Sequence, residues 1–327
     1  MRRIVAVGVA ALAACGALGT AASAAQASSA SDPTWTKQAP AVHPTWRGEA
    51  AMAYDPATGN TVLFGGIGPH GVFGDTWTWD GTTWTQQRPA THPPARYSAT
   101  MAYDPATGDV VLFGGIARHG TLNDTWTWDG TTWTQQQPAS HPSARYAPAM
   151  TYDAATGSML LFGGVGSKRV LADTWTWDGS TWTLQHPAAR PAVRWGAAMA
   201  YDAATGSTVL FGGVNNSSYL GDTWTWDGTT WTKQDPAASP SARYQASMVY
   251  DEATSTPVLF GGSGGTGRLS DTWTWNGTTW TQQQPASHPS ARYEAGMAYD
   301  EATSTPVLFG GGSNHPNSYF GDTWTWG

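Results

Sequence analysis

Hydrophobic and polar positions recur along this chain with a period of 49 residues. The marker is Phe-Gly-Gly, at Phe64, Phe113, Phe162, Phe211, Phe260 and Phe309. A fixed period of this size points to a solenoid or propeller. The second unit shows the pattern. Arg96 to Tyr103 mixes apolar and small residues and predicts a first strand. Asp104-Pro105-Ala106-Thr107-Gly108 predicts a turn, with Pro presetting φ and Gly supplying a positive φ. Val110 to Phe113 is a continuous apolar run, as expected of a strand covered on both faces. Asp124-Thr125-Trp126-Thr127-Trp128 alternates strictly and predicts a third strand. Asp129-Gly130 predicts a tight type I′ hairpin, followed by a fourth strand over Thr132 to Gln135. A Pro-rich stretch, Gln137 to Ala144, leads to the next unit. Four antiparallel strands per repeat make one propeller blade.

The two ends of the pattern are complementary. It starts with a lone fourth strand, Thr34-Trp35-Thr36-Lys37, and stops at a third strand, Asp322 to Trp326. The N-terminal strand is expected to complete the last blade and close the ring, leaving no free edge. The predicted fold is all-β: a six-bladed propeller of four-stranded blades over 34–327.

The strand ending in Phe-Gly-Gly, the spaced pair Trp126 and Trp128, and Trp133 after a short turn resemble the kelch repeat. The resemblance covers about Thr34 to Trp326 and extends to secreted bacterial members of the galactose-oxidase-like superfamily. It implies the propeller fold. It implies little about activity, because propellers host many functions.

Residues 1–24 read as a secretory signal peptide. Met1-Arg2-Arg3 precedes an uncharged run, Ile4 to Ala14, and Ala22-Ser23-Ala24 supplies a small-residue cleavage site. Residues 25–33 read as a linker. The expected location is extracellular. An alternative reading lipidates Cys15, within the lipobox-like Leu12-Ala13-Ala14-Cys15, and anchors the protein to a membrane. No apolar run is long enough for a transmembrane helix. Cys15 is the sole cysteine, so a form cleaved after Ala24 can have no disulfide, thiol nucleophile or copper–cysteine centre.

The formal net charge of −7 conceals an uneven distribution. The turns inside each blade's two hairpins carry many Asp and Glu and no Lys or Arg. Most of these acids occupy turn positions that favour Asp. The opposite side holds the basic residues. Nucleic-acid binding is not expected of this pattern. Of 20 Trp, 18 fall at the three repeat positions and are expected in the core between blades. Trp46 and Trp195 lie outside them and are candidates for stacking on a ligand.

Arg47, Arg96, Arg145, Arg194, Arg243 and Arg292 recur once per unit, at the mouth of the innermost strand. Arg suits bidentate recognition of carboxylate or phosphate. One Asp per blade (Asp75, Asp124, Asp173, Asp222, Asp271, Asp322) offers structural pairing instead, and the two readings stay open. Departures from the repeat should mark function, and they point to blades 6, 1 and 2. Glu49 and Glu294 share one position two residues after the Arg and are the candidate catalytic residues. The ligand-binding candidates are Arg47, Arg96, Arg292, Trp46, Trp195, Tyr97, Tyr293, His43, His288 and His315. No spacing matches a metal motif, and neither a metal nor a cofactor is expected.

Three functions compete. The first is a secreted binding or scaffold protein, with a protein or glycan partner on the loop face around the channel. Near-identical blades favour this over catalysis, which needs unlike residues to converge. The second is a carbohydrate-active enzyme. The kelch-type sialic-acid mutarotases, six-bladed folds that the chain resembles, imply an Arg and a Glu at the site, for which Arg47, Glu49, Arg292 and Glu294 are available. The third is a purely structural surface protein.

Overall fold

The computed structural model describes residues 33–313, 315 and 318–327. The expected signal peptide, Cys15 and nearly all of the expected linker fall outside them. No helix among the described residues is long and apolar enough to cross a membrane.

Six four-stranded antiparallel sheets, with four smaller two- or three-stranded ones, make up the described residues. Blade 2 is representative: its strands are Thr100–Asp104, Asp109–Phe113, Thr125–Trp128 and Trp133–Gln136. Blade 6 takes its fourth strand from the N-terminus, with Trp35–Gln38 paired to Thr323–Trp326 in the register Trp35↔Trp326. Each innermost strand touches those of both neighbouring blades, and blade 6 touches blade 1. The protein is a closed six-bladed β-propeller, as the repeat predicts.

The second strands explain why the ring must close. Val110, Val111, Leu112 and Phe113 are all fully buried. Val110 and Leu112 pack into a core shared with blade 1, while Val111 and Phe113 pack into the next core, shared with blade 3. Six such cores lie between the six pairs of neighbouring blades. Trp133 at the start of the outer strand reaches back to blade 1, where its Nε1–H donates to Thr76 Oγ1 at 2.9 Å. The same bond recurs at every interface. At the last two, Trp35 bonds Thr272 and Trp84 bonds Thr323.

Two local features differ from the sequence expectation. The innermost run breaks at Ser98, whose φ is 54°. Arg96–Tyr97 therefore forms a separate short strand paired with Ile116–Ala117, above the blade proper. The Asp-Gly hairpin is a four-residue connection between Trp128 and Trp133. The Asp129 carboxylate organises it, with Oδ1 accepting from the N–H groups of Thr131 and Thr132 at 2.8 and 2.7 Å. The side chain supplies the turn, so positive φ at two central residues is not needed.

The inner hairpins end on a residue of positive φ: Gly59, Gly108, Gly157 and Gly206 in blades 1 to 4, but Ser255 and Ser304, both at φ 54°, in blades 5 and 6. A left-handed conformation costs a non-glycine residue roughly 1–2 kcal/mol. Glycine loses part of that advantage through its freer unfolded chain. Ser255→Gly and Ser304→Gly are each expected to raise stability by up to about 1 kcal/mol in urea unfolding. A loss of stability in both would contradict the assignment of strain.

Candidate functional site

The six repeat arginines are struts. Arg47, Arg96 and Arg292 were candidates for ligand binding, and the structure corrects this: all six side chains are fully buried and ion-paired. Arg96 Nη1 and Nη2 each donate to one oxygen of Asp124, at 2.7 Å. Nη1 also donates to the Gly114 carbonyl and Nε to that of Pro94. The guanidinium thus has no face left for a ligand. Arg47 and Arg292 further stack on Phe73 and Phe320, 4.0 Å from each ring centre. The backbone of the same residue binds the preceding blade: Arg96 N–H donates to Phe73 and its carbonyl accepts from Gly66. That approach accounts for Phe-Gly-Gly, since a Cβ on Gly65 would lie 2.5 Å from the Arg96 oxygen.

Two residues beyond each Arg, the chain forms the neck of the channel. Glu49, Ser98, Ala147, Gly196, Gln245 and Glu294 all have φ between 50° and 61°. The N–H of each donates to the carbonyl of its counterpart in the preceding blade, and Glu49 N–H closes the circle on Glu294 at 2.9 Å. This six-membered backbone ring leaves the side chains to define the mouth. Below it a cavity of about 190 Å³ descends to methionines that include Met52, Met101 and Met297.

Glu49 and Glu294 are neighbours on this ring, and each carboxyl alters the proton affinity of the other. Burial pushes Glu49 up to about 7. Burial and the adjacent Glu49 charge push Glu294 up to about 9. At neutral pH the pair therefore holds at least one proton, placing an acid beside a base. The charge of Arg268 opposes the shift at Glu294. Arg268 lies outside the six ion pairs, and its guanidinium stacks 3.5 Å from the centre of the Tyr293 ring. Two buried polar atoms here, Arg268 Nε and Gln245 Oε1, have no hydrogen-bond partner.

Aromatic side chains crown the mouth at the position after the Arg: Tyr97, Tyr146, Trp195, Tyr244 and Tyr293, each half-buried. Trp195 stands edge-on to Tyr244 at 5.0 Å and 6.3 Å from Tyr146. Burial, together with the charge of Glu294, pushes the Tyr293 phenol up to about 12. Blade 1 has Gly48 at this position, and a Cβ there would meet Glu294 Oε2 at 3.1 Å and the Tyr319 ring at 3.2 Å. Tyr319 thus fills the gap in the crown. It also lines a second cavity, of about 480 Å³, shared with His43 and Trp46. Trp46 is 57% exposed there, where the other blades carry Ala or Val.

The remaining candidates are dispersed. His43 and His288 each place Nδ1 2.9 Å from the carbonyl of the following proline, a local contact within the turn. His315 is exposed in the blade 6 loop. Among the described residues no His, Cys, Asp or Glu cluster could hold a metal ion. The polar departures gather in blades 5, 6 and 1, one blade back from the arc that the sequence indicated. Sequence reasoning missed Arg268, Gln245 and Gly48. Their signal was present: the position of Arg268 carries Val72, Thr121, Val170, Tyr219 and Tyr319 elsewhere.

Removing one partner of a buried pair strands the other charge. Asp173→Asn is expected to destabilise the protein by about 3–5 kcal/mol in denaturant unfolding, and a cost below about 1 kcal/mol would contradict the strut assignment. The glutamates make a second prediction. A carboxyl raised in the folded protein holds its proton more tightly than in the unfolded chain. Its stabilising contribution is complete below the ordinary value of 4.5 and declines as pH rises toward the folded values. Glu294→Gln should flatten the fall in Tm between about pH 5 and 9, while unchanged pH dependence would argue against a shared proton.

No protein-family model and no curated protein matches the chain. Among solved structures, that of YjhT superposes with a TM-score of 0.67 over 86% of this chain and 95% of that chain, at 16% sequence identity. At this identity the likeness establishes the shared fold, a β-propeller.

Proposed function

We propose that the protein is an exported glycan-binding protein that holds its ligand over the channel mouth of blades 5, 6 and 1. One observation carries the reading. An aromatic crown surrounds two carboxyls and a guanidinium, with Gln245 Oε1 and Arg268 Nε–H buried without partners beside them. Buried polar groups of a folded protein are nearly always hydrogen-bonded, so an acceptor and a donor left open together call for a ligand's own polar groups. Half-buried Tyr and Trp rings offer an apolar face and a polar edge, matching the alternating CH and OH surfaces of a sugar ring. Arg268 suits a carboxylated sugar, a role the six struts cannot fill. Exposed Trp46, reached through Tyr319, adds a second stacking surface for a longer chain. Export rests on the signal-like residues 1–24.

The proton held between Glu49 and Glu294 favours a second reading, acid–base catalysis on the bound sugar. In that case one carboxyl donates a proton while its neighbour accepts another. This matches the Arg-plus-Glu expectation from the resemblance to kelch-type mutarotases, with Arg268 in place of Arg47 or Arg292.

Display of neutral and acidic glycans on an array, followed by calorimetry, tests both readings. Retention of a defined glycan is expected, with Trp195→Ala and Tyr293→Ala each weakening affinity by about tenfold. Glu294→Gln should keep binding, and under the second reading it should abolish anomer interconversion seen by NMR. An array that retains nothing overturns the glycan assignment.

A further inference from the structure

The far end of the channel opens into a separate cavity of about 400 Å³. One tyrosine from each blade lines it: Tyr54, Tyr103, Tyr152, Tyr201, Tyr250 and Tyr299. Each precedes the buried aspartate that anchors the inner hairpin turn, so the turn fixes its position at the mouth. The rim is less regular. Glu252 and Glu301, in adjacent blades 5 and 6, project where the other blades carry proline or alanine. Both side chains are exposed, and each repels the other. Partial burial of the carboxyl raises Glu301 above its ordinary value, and the charges of Glu252 and Asp300 add to it. The six ion pairs of the described residues all lie at the opposite end. The hairpin turns on this side contain neither Lys nor Arg. The result is a cavity lined by six tyrosines among methionines and alanines, with two glutamates at its rim and, among the described residues, no Lys or Arg in its lining.

We propose that this cavity binds an organic ammonium cation. The electron-rich faces of the tyrosines attract a cation, and rings in several directions suit a bulky, weakly hydrated one. The adjacent carboxylates add long-range attraction and concentrate cations at the mouth. A hard metal ion is a poorer match. Such ions require several converging oxygens, and the described residues hold no such cluster. The site is independent of the glycan reading, which concerns the other end of the channel.

Calorimetric titration of the full chain with choline tests the proposal. Its uncharged carbon isostere, 3,3-dimethylbutan-1-ol, serves as the control. Choline should bind saturably and the isostere should not. Glu252→Gln/Glu301→Gln should weaken choline by about tenfold, and so should Tyr250→Leu. The two glutamates are exposed, so the double variant tests binding without challenging the fold. Absence of saturable choline binding overturns the proposal. So does equal affinity for the isostere, or an affinity unchanged in both variants.

Discussion

A blade of this protein cannot bury either of its faces by itself. Its second strand is apolar on both sides, and each side is half of a core whose other half belongs to a neighbour. No number of blades in an open row satisfies this, because two faces always remain bare. Closure is therefore a requirement of the sequence pattern. The other regular features serve it: the Trp–Thr bonds across each interface, the strand borrowed from the N-terminus, and the arginine whose backbone grips one blade while its side chain braces the next.

Regularity also sets where function can reside. The neck ring engages its backbone N–H and C=O groups with one another, so recognition at the mouth falls to side chains. Along the ring, blades 2, 3 and 4 place Ser98, Ala147 and Gly196, which are small or absent side chains. Blades 5, 6 and 1 place Gln245, Glu294 and Glu49. The scaffold thus confines chemistry to half of its rim. The two glutamates face each other because the ring seats them one blade apart. Their raised proton affinity follows from that placement and from burial.

The fold was largely legible in the sequence, because it rests on patterns repeated six times. Period, strand count and closure all follow from Phe-Gly-Gly, Thr-Trp-Thr-Trp and the two incomplete ends. The Arg–Asp pairing was visible as one of two readings, and only geometry could choose between them, since a guanidinium looks alike in sequence whether buried or exposed. Left-handed residues at the neck were not legible. Glu49, Ser98, Ala147 and Gln245 have no local preference for positive φ, and the ring of hydrogen bonds that holds them there is formed between blades. The Asp-Gly hairpin was misread for a related reason: the dipeptide signals a type I′ turn, but the Asp129 side chain organises a longer one. Arg268 escaped because it occurs once, in a loop of variable sequence, and its significance lies in what it stacks upon.

Trp35–Gln38 pairs with Thr323–Trp326, so the first strand to be synthesised waits for the last. Until that partner arrives, blade 6 lacks its outer strand and the core it shares with blade 5 lacks Trp35. The interfaces between blades 1 to 5 join segments close together in the chain and can form as it emerges, whereas the seam demands the longest loop closure in the molecule. Final locking therefore waits until Thr323–Trp326 has been made. A chain kept from bringing Thr323–Trp326 back to Trp35–Gln38 would stay unlocked for as long as the two were held apart.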